Sequence, residues 1–170
     1  MQGNSLLESF EGEDLSSLTK TNGTLFDSDE IIKQLTEAIN GFYIPSDHIA
    51  KAKIRNQISE KVLQLLKERQ IAPEKLKKLE SIDLHSNSEF FLWHTWFSDV
   101  FNRPAGCNGF DIVIGNPPYG AKTSNKEKEL YKKYYEAAKT YAGISKGSTD
   151  TFAVFVNLGY NLLSKNGNLA

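Results

Sequence analysis

The sequence predicts an α/β fold in which parallel strands are flanked by helices. The run "FDIVIG" at residues 110–115 is short, apolar and β-branched, which is typical of a strand buried on both faces of a parallel sheet. Two amphipathic segments follow it, and Asn168, Leu169 and Ala170 then have the composition of the start of another strand. Strand, helices and strand in this order are the units from which a parallel sheet is built.

The composition favours one ordinary domain. A chain of 170 residues buries about 70% of the surface that its unfolded form exposes. No apolar run approaches the roughly 20 residues of a membrane span, and residues 1–15 lack the basic start and apolar stretch of a signal peptide. Cys107 is the single cysteine and the three histidines are scattered, so we expect neither a disulfide nor a structural metal. The sequence therefore predicts a cytoplasmic protein.

Three helices are predicted between residues 26 and 88. The first has Asp27 as N-cap and Glu30 as its capping-box partner, and we expect it to stop at Asn40-Gly41. The second, residues 51–69, is strongly amphipathic, and a shorter third helix begins at Pro73. The apolar residues predicted to face the core are Ile31, Leu35, Ala38 and Ile39 in the first helix and Ile54, Ile58, Val62, Leu65 and Leu66 in the second.

Basic charge is concentrated in two parts of the chain although the net charge is -1. Residues 1–50 carry two Lys or Arg against nine Asp or Glu, residues 51–80 carry nine against four, and residues 121–170 carry eight against four. A nucleic-acid enzyme needs such local patches for phosphate contacts. Solvated helix faces explain residues 51–80 equally well.

Aromatic and imidazole rings are crowded into the segment "SEFFLWHTWFSDVF". Because basic residues usually alternate with the rings of a base-stacking platform, and none occurs here before Arg103, we favour core packing next to the following strand. Residues 103–109 have the composition of a loop. The seven rings belong to Phe90, Phe91, Trp93, His94, Trp96, Phe97 and Phe101.

Two helices are predicted after the strand. The first has Ser124 as N-cap and Glu127 as its capping-box partner. The second is capped by Ser148 or Thr149 and stops at Gly167. The side chains predicted to be buried are Leu130, Tyr134, Ala138 and Tyr141 in the first helix and Phe152, Phe155, Val156, Leu162 and Leu163 in the second.

The tetrapeptide "NPPY", residues 116–119, directly follows the predicted strand. In open α/β sheets, ligands bind beyond the carboxyl ends of the strands. Asn116 offers a side-chain carbonyl and Pro117 a backbone carbonyl. Neither Pro117 nor Pro118 has an N–H, and Pro118 holds Pro117 extended. The turn is therefore a rigid pair of hydrogen-bond acceptors.

Two fixed acceptors suit an exocyclic amino group, which has two hydrogens to donate. The amino nitrogen of adenine is a poor nucleophile because its lone pair is delocalised into the ring. Hydrogen bonds that pull the group towards a tetrahedral shape free the lone pair to attack a methyl donor, by positioning and electrostatics alone. Tyr119 would stack on a base flipped out of the duplex, which offsets much of the unstacking cost.

At these residues the sequence resembles the N6-adenine DNA methyltransferases, in which NPPY is the catalytic motif after the fourth core strand. The resemblance implies a partial Rossmann-like methyltransferase sheet and the methyl donor S-adenosylmethionine. It implies that Asn116 and Pro117 hold the target amino group, that Tyr119 stacks on the adenine and that Asn116 and Pro118 lie near the cofactor. The partner is then double-stranded DNA with a flipped adenine. "QGNSLLESFEG" resembles the loop after the third core strand, which would place Asn4 near the adenine of the cofactor.

The segment from "LWHTWFSDVF" through "GFDIVIGNPPYG" looks like the large type II restriction-modification enzymes of bacteria and archaea. The resemblance implies a methyltransferase catalytic domain over residues 1–170 with a helical insertion at about residues 26–88. The sequence has no glycine-rich cofactor loop, which in the family lies upstream, and the target-recognition domain lies downstream. We therefore expect this chain to be one part of a larger polypeptide, to need the remaining parts as partners and to be inactive alone.

Two other interpretations of NPPY are open. It also fits the N-P-x-Y pattern that phosphotyrosine-binding domains bind, an interaction that requires the motif to lie on an exposed, flexible tail. It is also compatible with a structural Pro-Pro turn in a non-enzymatic α/β domain. A nuclease site in this segment is disfavoured because no acid and lysine cluster stands at a strand end to hold magnesium.

Overall fold

The computed structural model describes residues 3–20, 26–44, 47–117, 124–137 and 151–170. These residues form a mixed structure of helices and short strands. The strands are β1 (Ser9–Phe10), β2 (Glu13–Asp14), β3 (Phe110–Val113) and β4 (Leu163–Leu169). The helices are α1 (Phe26–Phe42), α2 (His48–Glu68), α3 (Pro73–Ser81), α4 (Trp93–Trp96), α5 (Ser98–Phe101), α6 (Asn125–Ala137) and α7 (Thr151–Leu162).

The helices α1 and α2 pack against each other and supply much of the core. The predicted apolar faces are confirmed: Leu35 and Ile39 of α1 are buried, as are Ile58, Val62, Leu65 and Leu66 of α2, while Ile31, Ala38 and Ile54 pack partly buried against them. The helix α2 begins three residues earlier than predicted, because the side chain of Asp47 accepts hydrogen bonds from Ile49 N and Ala50 N.

The predicted ends of α1 are wrong. The helix begins at Phe26, so Asp27 lies inside it and not at its N-cap. The Glu30 carboxylate accepts a hydrogen bond from Gln34 Nε2 at 3.0 Å, one helical turn further on. At the other end α1 continues through Asn40-Gly41 to Phe42, whose buried ring packs on Trp96. Tertiary packing of Phe42 therefore outweighs the local stop signal.

A short hairpin, which the sequence analysis missed, precedes these helices. The strands β1 and β2 are antiparallel, and Glu11 and Gly12 form the two-residue turn with positive φ angles of 46° and 86°. Two ion pairs attach the hairpin to α3: Lys75 Nζ lies 2.6 Å from Glu13 Oε1, and Lys78 Nζ lies 2.5 Å from Glu11 Oε1.

The aromatic segment packs as core, as predicted. Phe90 and Trp96 are buried. The rings of Trp93, Phe97 and Phe101 surround Phe110, the first residue of β3, with centroid distances of 6.5, 5.1 and 5.4 Å. These edge-on contacts fix the start of the strand against α4 and α5.

The strands β3 and β4 are parallel, which confirms the predicted order of strand, helices and strand in a small two-stranded sheet. The prediction that β3 is buried on both faces is wrong: Ile112 is 64% exposed and Ile114 is 79% exposed. Among the described residues, β3 pairs with β4 alone and packs against α7 through Val113. Gly159 of α7 faces both strands: a Cβ at that position would lie 3.5 Å from Val113 Cγ1 of β3 and 2.6 Å from Leu169 Cδ1 of β4.

The capping box of α6 is confirmed. Ser124 Oγ accepts a hydrogen bond from Glu127 N, and the Glu127 carboxylate accepts from Ser124 N at 2.8 Å. The prediction that Leu130 is buried is wrong, since it is 42% exposed, whereas its neighbour Tyr131 is buried. The side chain of Tyr134 and all of Ala138 and Tyr141 lie outside the described residues.

The predicted face of α7 is confirmed only in part. Leu162 is buried, as predicted, and Phe155 is half-buried, but Phe152 and Val156 are exposed and Val154 is buried instead. The helix ends at Leu162 because Leu163 already pairs with Phe110, so Gly167 lies within β4 and is not the helix stop. Ser148 and Thr149, the proposed caps, lie outside the described residues.

Candidate functional site

The end of β3 carries the first two residues of NPPY. Ala170 N donates a hydrogen bond to Val113 O at 2.9 Å, and Gly115 N donates to Ala170 O at 3.0 Å. Pairing with the neighbouring strand therefore continues to Gly115, and Asn116 is the first residue beyond it. Asn116 is exposed and Pro117 is half-buried. The motif thus begins at the carboxyl end of a parallel strand, where α/β proteins bind ligands, whereas Pro118 and Tyr119 lie outside the described residues.

A cavity of about 410 Å³ lies beside Pro117. Its walls are mostly apolar. They come from the end of β3, from the exposed side of α7, and from Ser5 and Trp93, which belong to two different segments of the chain. Cavities of about 300–1,000 Å³ with apolar walls and a few polar groups are typical small-molecule sites. The side chains of Phe152, Phe155 and Val156 give this cavity an aromatic and aliphatic wall.

Backbone and side-chain hydrogen bonds bring the N-terminal segment to this cavity. Trp93 Nε1 donates to Ser5 O at 2.8 Å, and Phe91 N donates to Leu7 O at 2.8 Å. Residues 3–7 are thereby fixed along the aromatic segment. Ser5, which the sequence analysis did not single out, shares the cavity with Pro117.

Asn4 lies on a second, polar pocket of about 470 Å³ and not on the cavity of Pro117. Its Oδ1 atom accepts a hydrogen bond from Leu6 N at 3.2 Å, which shapes the turn at residues 4–7. The other residues of the polar pocket are Gly3, Ser86, Asn87 and Ser88. Residues 3–5 therefore border both spaces, Asn4 on one side and Ser5 on the other.

A buried acid, Glu8, holds the same wall in place. It is 3% exposed, its Oε1 accepts from His94 N at 2.7 Å, and its Oε2 lies 2.6 Å from His94 Nδ1. Burial raises the pKa of the Glu8 carboxyl, while the hydrogen bonds from His94 act in the opposite direction. The two residues are 86 positions apart, so no local pattern could reveal the pair.

Several residues of the basic block at positions 51–80 have structural partners. Besides the pairs with the hairpin, Lys67 lies 3.1 Å from Glu80, and Lys51 and Arg55 lie over the Phe42 ring. These contacts favour the interpretation of this block as solvated helix faces. Within the described ranges, no group of three His, Cys, Asp or Glu is placed to hold a metal ion, and no described helix is long and apolar enough to cross a membrane.

The order of strand, helices and parallel strand, with an Asn-Pro turn beside an apolar cavity, is the arrangement expected of a methyltransferase site. A comparison with protein families supports this class: the model of the Eco57I restriction-modification methylases matches residues 14–170. The chain therefore belongs to the Eco57I restriction-modification methylase family. No curated protein and no solved structure gave a significant match.

The family match runs through residues 26–88 as well as through NPPY. It establishes a methyltransferase of the restriction-modification type.

Proposed function

We propose that this chain carries the catalytic turn of a DNA methyltransferase that transfers a methyl group from S-adenosylmethionine to the N6 amino group of adenine. The methyltransferase class comes from the family match. The adenine is inferred from the chemistry of Asn116 and Pro117, and the donor from the resemblance to the N6-adenine DNA methyltransferases. The observation that carries the proposal is the position of Asn116, exposed and one residue beyond the paired end of β3.

The proposed role of the turn is to hold an amino group by acceptors alone. Asn116 contributes its side-chain carbonyl and Pro117 its backbone carbonyl. Pro117 has no N–H that would compete for these acceptors. The two hydrogen bonds pull electron density from the N–H bonds of adenine towards the nitrogen lone pair, so that the nitrogen becomes a better nucleophile without a strong base.

The cavity beside Pro117 supports a site that shields a reacting base from water. Its apolar walls lower the local dielectric, which strengthens a hydrogen bond to Pro117. Tyr119 is proposed to stack on the flipped adenine, and ring stacking of this kind contributes about 1–3 kcal/mol per base.

The residues around the N-terminal segment fit S-adenosylmethionine. The polar pocket at Asn4 suits the uncharged adenosine portion, and it lies beside the cavity of Ser5 and Pro117, where the methyl group would be transferred. When bound, the cofactor supplies an electrophilic methyl group. We propose that Asn4, Asn116 and Pro118 contact it and that double-stranded DNA and further parts of a larger polypeptide complete the site.

The test is the substitution Asn116→Ala in the full-length polypeptide that contains this segment. Loss of one positioned hydrogen-bonding group at a reacting centre costs about 10²-fold or more in turnover. We expect this loss in transfer of labelled methyl groups to adenine, with binding of S-adenosylmethionine largely retained. The control is Asn108→Ala, because Asn108 is an exposed asparagine just before the other end of β3. Near-normal turnover of Asn116→Ala would overturn the catalytic role.

A further inference from the structure

The described residues that line the polar pocket at Asn4 are neutral. Gly3 and Asn4 form one side of it, and Ser86, Asn87 and Ser88 form the other. None of these five residues carries an ionisable side chain. Such a pocket suits hydroxyl groups and ring nitrogens better than a phosphate or the charged amino-acid end of a ligand, which need paired charges when they leave water.

We propose that residues 86–88 form the wall of the methyltransferase site that binds the adenosine portion of S-adenosylmethionine, and that α2 positions this wall through His85. The proposal rests on the proposed function and extends it to a loop outside the NPPY turn. It gives a role in the site to the helical segment at residues 26–88.

The position of the pocket agrees with a ligand that reaches the reacting turn. Residues 3–5 separate the polar pocket from the cavity of Pro117, with Ser5 on the cavity side. A ligand with its neutral part at residues 86–88 can therefore extend along this segment towards Pro117.

The two walls of the pocket are in close contact. A Cβ at Gly3 would lie 2.2 Å from Phe90 O, so only glycine allows this approach. Asn87 uses its side chain to shape the loop: Oδ1 accepts from Glu89 N at 2.9 Å and from Phe90 N at 3.0 Å, and Nδ2 donates to Asp83 O at 3.1 Å.

The hydroxyl groups of Ser86 and Ser88 remain available to a ligand. Both residues are exposed, and neither hydroxyl group hydrogen-bonds to another described residue. Each can donate and accept one hydrogen bond, which matches the hydroxyl groups of a ribose. These two serines are therefore the specificity-determining side chains that we assign to the loop.

His85 connects this loop to α2. The residue is buried, its Nε2 atom donates to Arg55 O at 2.8 Å and lies 2.9 Å from Ser59 Oγ, and its ring packs edge-on against Trp96. Ser86 follows directly in the chain. Loss of the imidazole would release the start of the loop from the helix, so His85 is a positioning residue.

The experiment is an NMR titration of the ¹⁵N-labelled chain with S-adenosylhomocysteine, which cannot react. We expect weak affinity because the resemblance places a glycine-rich cofactor loop outside these 170 residues, and NMR detects even millimolar binding. Saturable shifts are expected at the amides of Gly3, Asn4 and residues 86–88. Adenosine alone should reproduce them, and methionine alone should not.

The variants Ser86→Ala and Ser88→Ala test the side chains. A neutral hydrogen bond contributes about five-fold to affinity, so each variant should weaken binding by about that factor. Ser81→Ala is the matched control, because Ser81 is exposed and its hydroxyl donates to Lys78 O at the end of α3. Unchanged affinity in both loop variants would overturn the proposal.

His85→Ala tests the positioning role, and Val62→Ala is its control. Val62 is a buried residue of α2 that lies outside the loop, so this variant also removes a buried side chain. Only His85→Ala should weaken binding of S-adenosylhomocysteine at temperatures where both variants are folded. Equal affinities of the two variants would overturn the positioning role of His85.

Other results of the titration separate the pocket from the proposed function. Shifts at residues 86–88 with a short oligonucleotide but not with S-adenosylhomocysteine would overturn the assignment to the cofactor, as would the absence of saturable shifts there. The binding titration therefore tests the assignment of the pocket, whereas the methyl-transfer assay tests the proposed function.

Discussion

Replacement of Glu8 by alanine should be among the most destabilising single changes near the candidate site. Glu8 is almost fully buried, and both of its carboxylate oxygens contact His94, one through the backbone N–H and one through Nδ1. The change removes the carboxylate, so the backbone N–H and Nδ1 of His94 lose their hydrogen-bond partner. Because His94 is the second residue of α4, the substitution should also loosen the first residue, Trp93, which lines the cavity of Pro117.

The expected cost follows from the two hydrogen bonds. Removal of one partner from a buried charged pair costs about 3–5 kcal/mol, and relief from burying an acid offsets part of this. We expect a loss of about 3 kcal/mol for Glu8→Ala, which lowers Tm by roughly 6–12 °C in a domain of this size. Glu8→Gln keeps an acceptor for His94 N and offers a donor to Nδ1, so its cost should be about 1 kcal/mol.

The assay is urea unfolding followed by tryptophan fluorescence, because Trp93 and Trp96, the two tryptophans of the chain, lie on either side of His94. Glu11→Ala is the matched control. Glu11 lies in the same hairpin, but its ion pair with Lys78 is at the surface, with side chains 39% and 58% exposed, and such pairs contribute about 0–1 kcal/mol. If Glu8→Ala costs no more than Glu11→Ala, the reasoning is refuted.

The pH dependence of Glu8 gives a second readout. Burial raises the pKa of Glu8 above its ordinary value of 4.5. Between 4.5 and the raised pKa, the folded state binds more protons than the unfolded state, so the contribution of Glu8 to the free energy of unfolding falls as pH rises. Glutamine does not titrate, and the stability of Glu8→Gln relative to the parent chain should therefore increase as pH rises above 4.5. A difference that is independent of pH would contradict the raised pKa.

Three further predictions concern other residues. Burial lowers the pKa of His85 below 6.5, so the folded state binds fewer protons there and Tm should fall as pH drops through 6.5; His85→Gln should reduce this slope, and an unchanged slope would contradict the assignment. Ser124→Ala should cost about 1 kcal/mol of helix stability, measured by amide exchange in α6, and should raise the pKa of Glu127, which hydrogen bonds from Ser124 now lower; an unchanged Glu127 titration by NMR would contradict the capping box. In the full-length polypeptide, Tyr119→Ala should reduce methyl transfer more than Tyr119→Phe does, and equal losses would indicate a role for the hydroxyl group instead of stacking.

Local patterns in the sequence predicted the features that depend on neighbouring residues. The stripe of α2, the proline start of α3 and the capping box of Ser124 and Glu127 were all predictable, because helical periodicity and caps are encoded within a few positions. The aromatic segment was predictable as core because its rings lacked interleaved basic residues.

The face of α7 was not predictable in the same way. This helix carries apolar or aromatic residues around much of its circumference, so the pattern admits several orientations. The sheet selects one: Gly159 lies against Val113 and Leu169, which places Val154 and Leu162 inside and leaves Phe152 outside. The exposure of Phe152 is informative for function, because it lines the cavity of Pro117.

The candidate site was predictable only in part. Asn116 could be placed at the end of a strand because "FDIVIG" is a strong local signal, and the structure confirms that position. Ser5 could not be found, since the hydrogen bond of its carbonyl with Trp93 Nε1 spans 88 positions. No local pattern indicated which residues lie near Asn4, whereas the fold brings it to the loop at residues 86–88.

The helices at residues 26–88 are built into the domain around the candidate site. Arg69 at the end of α2 donates to Ser17 O at 2.5 Å and to Ser17 Oγ at 3.2 Å, and so holds the segment after the hairpin. The α3 ion pairs hold the hairpin itself. His85 ties the loop of the polar pocket to α2, and Phe42 packs on Trp96 in the aromatic segment. Because the hydrogen bond of His85 with α2 holds the start of the loop at residues 86–88, a change in the packing of α2 alters the geometry of the candidate site as well as the stability of the domain.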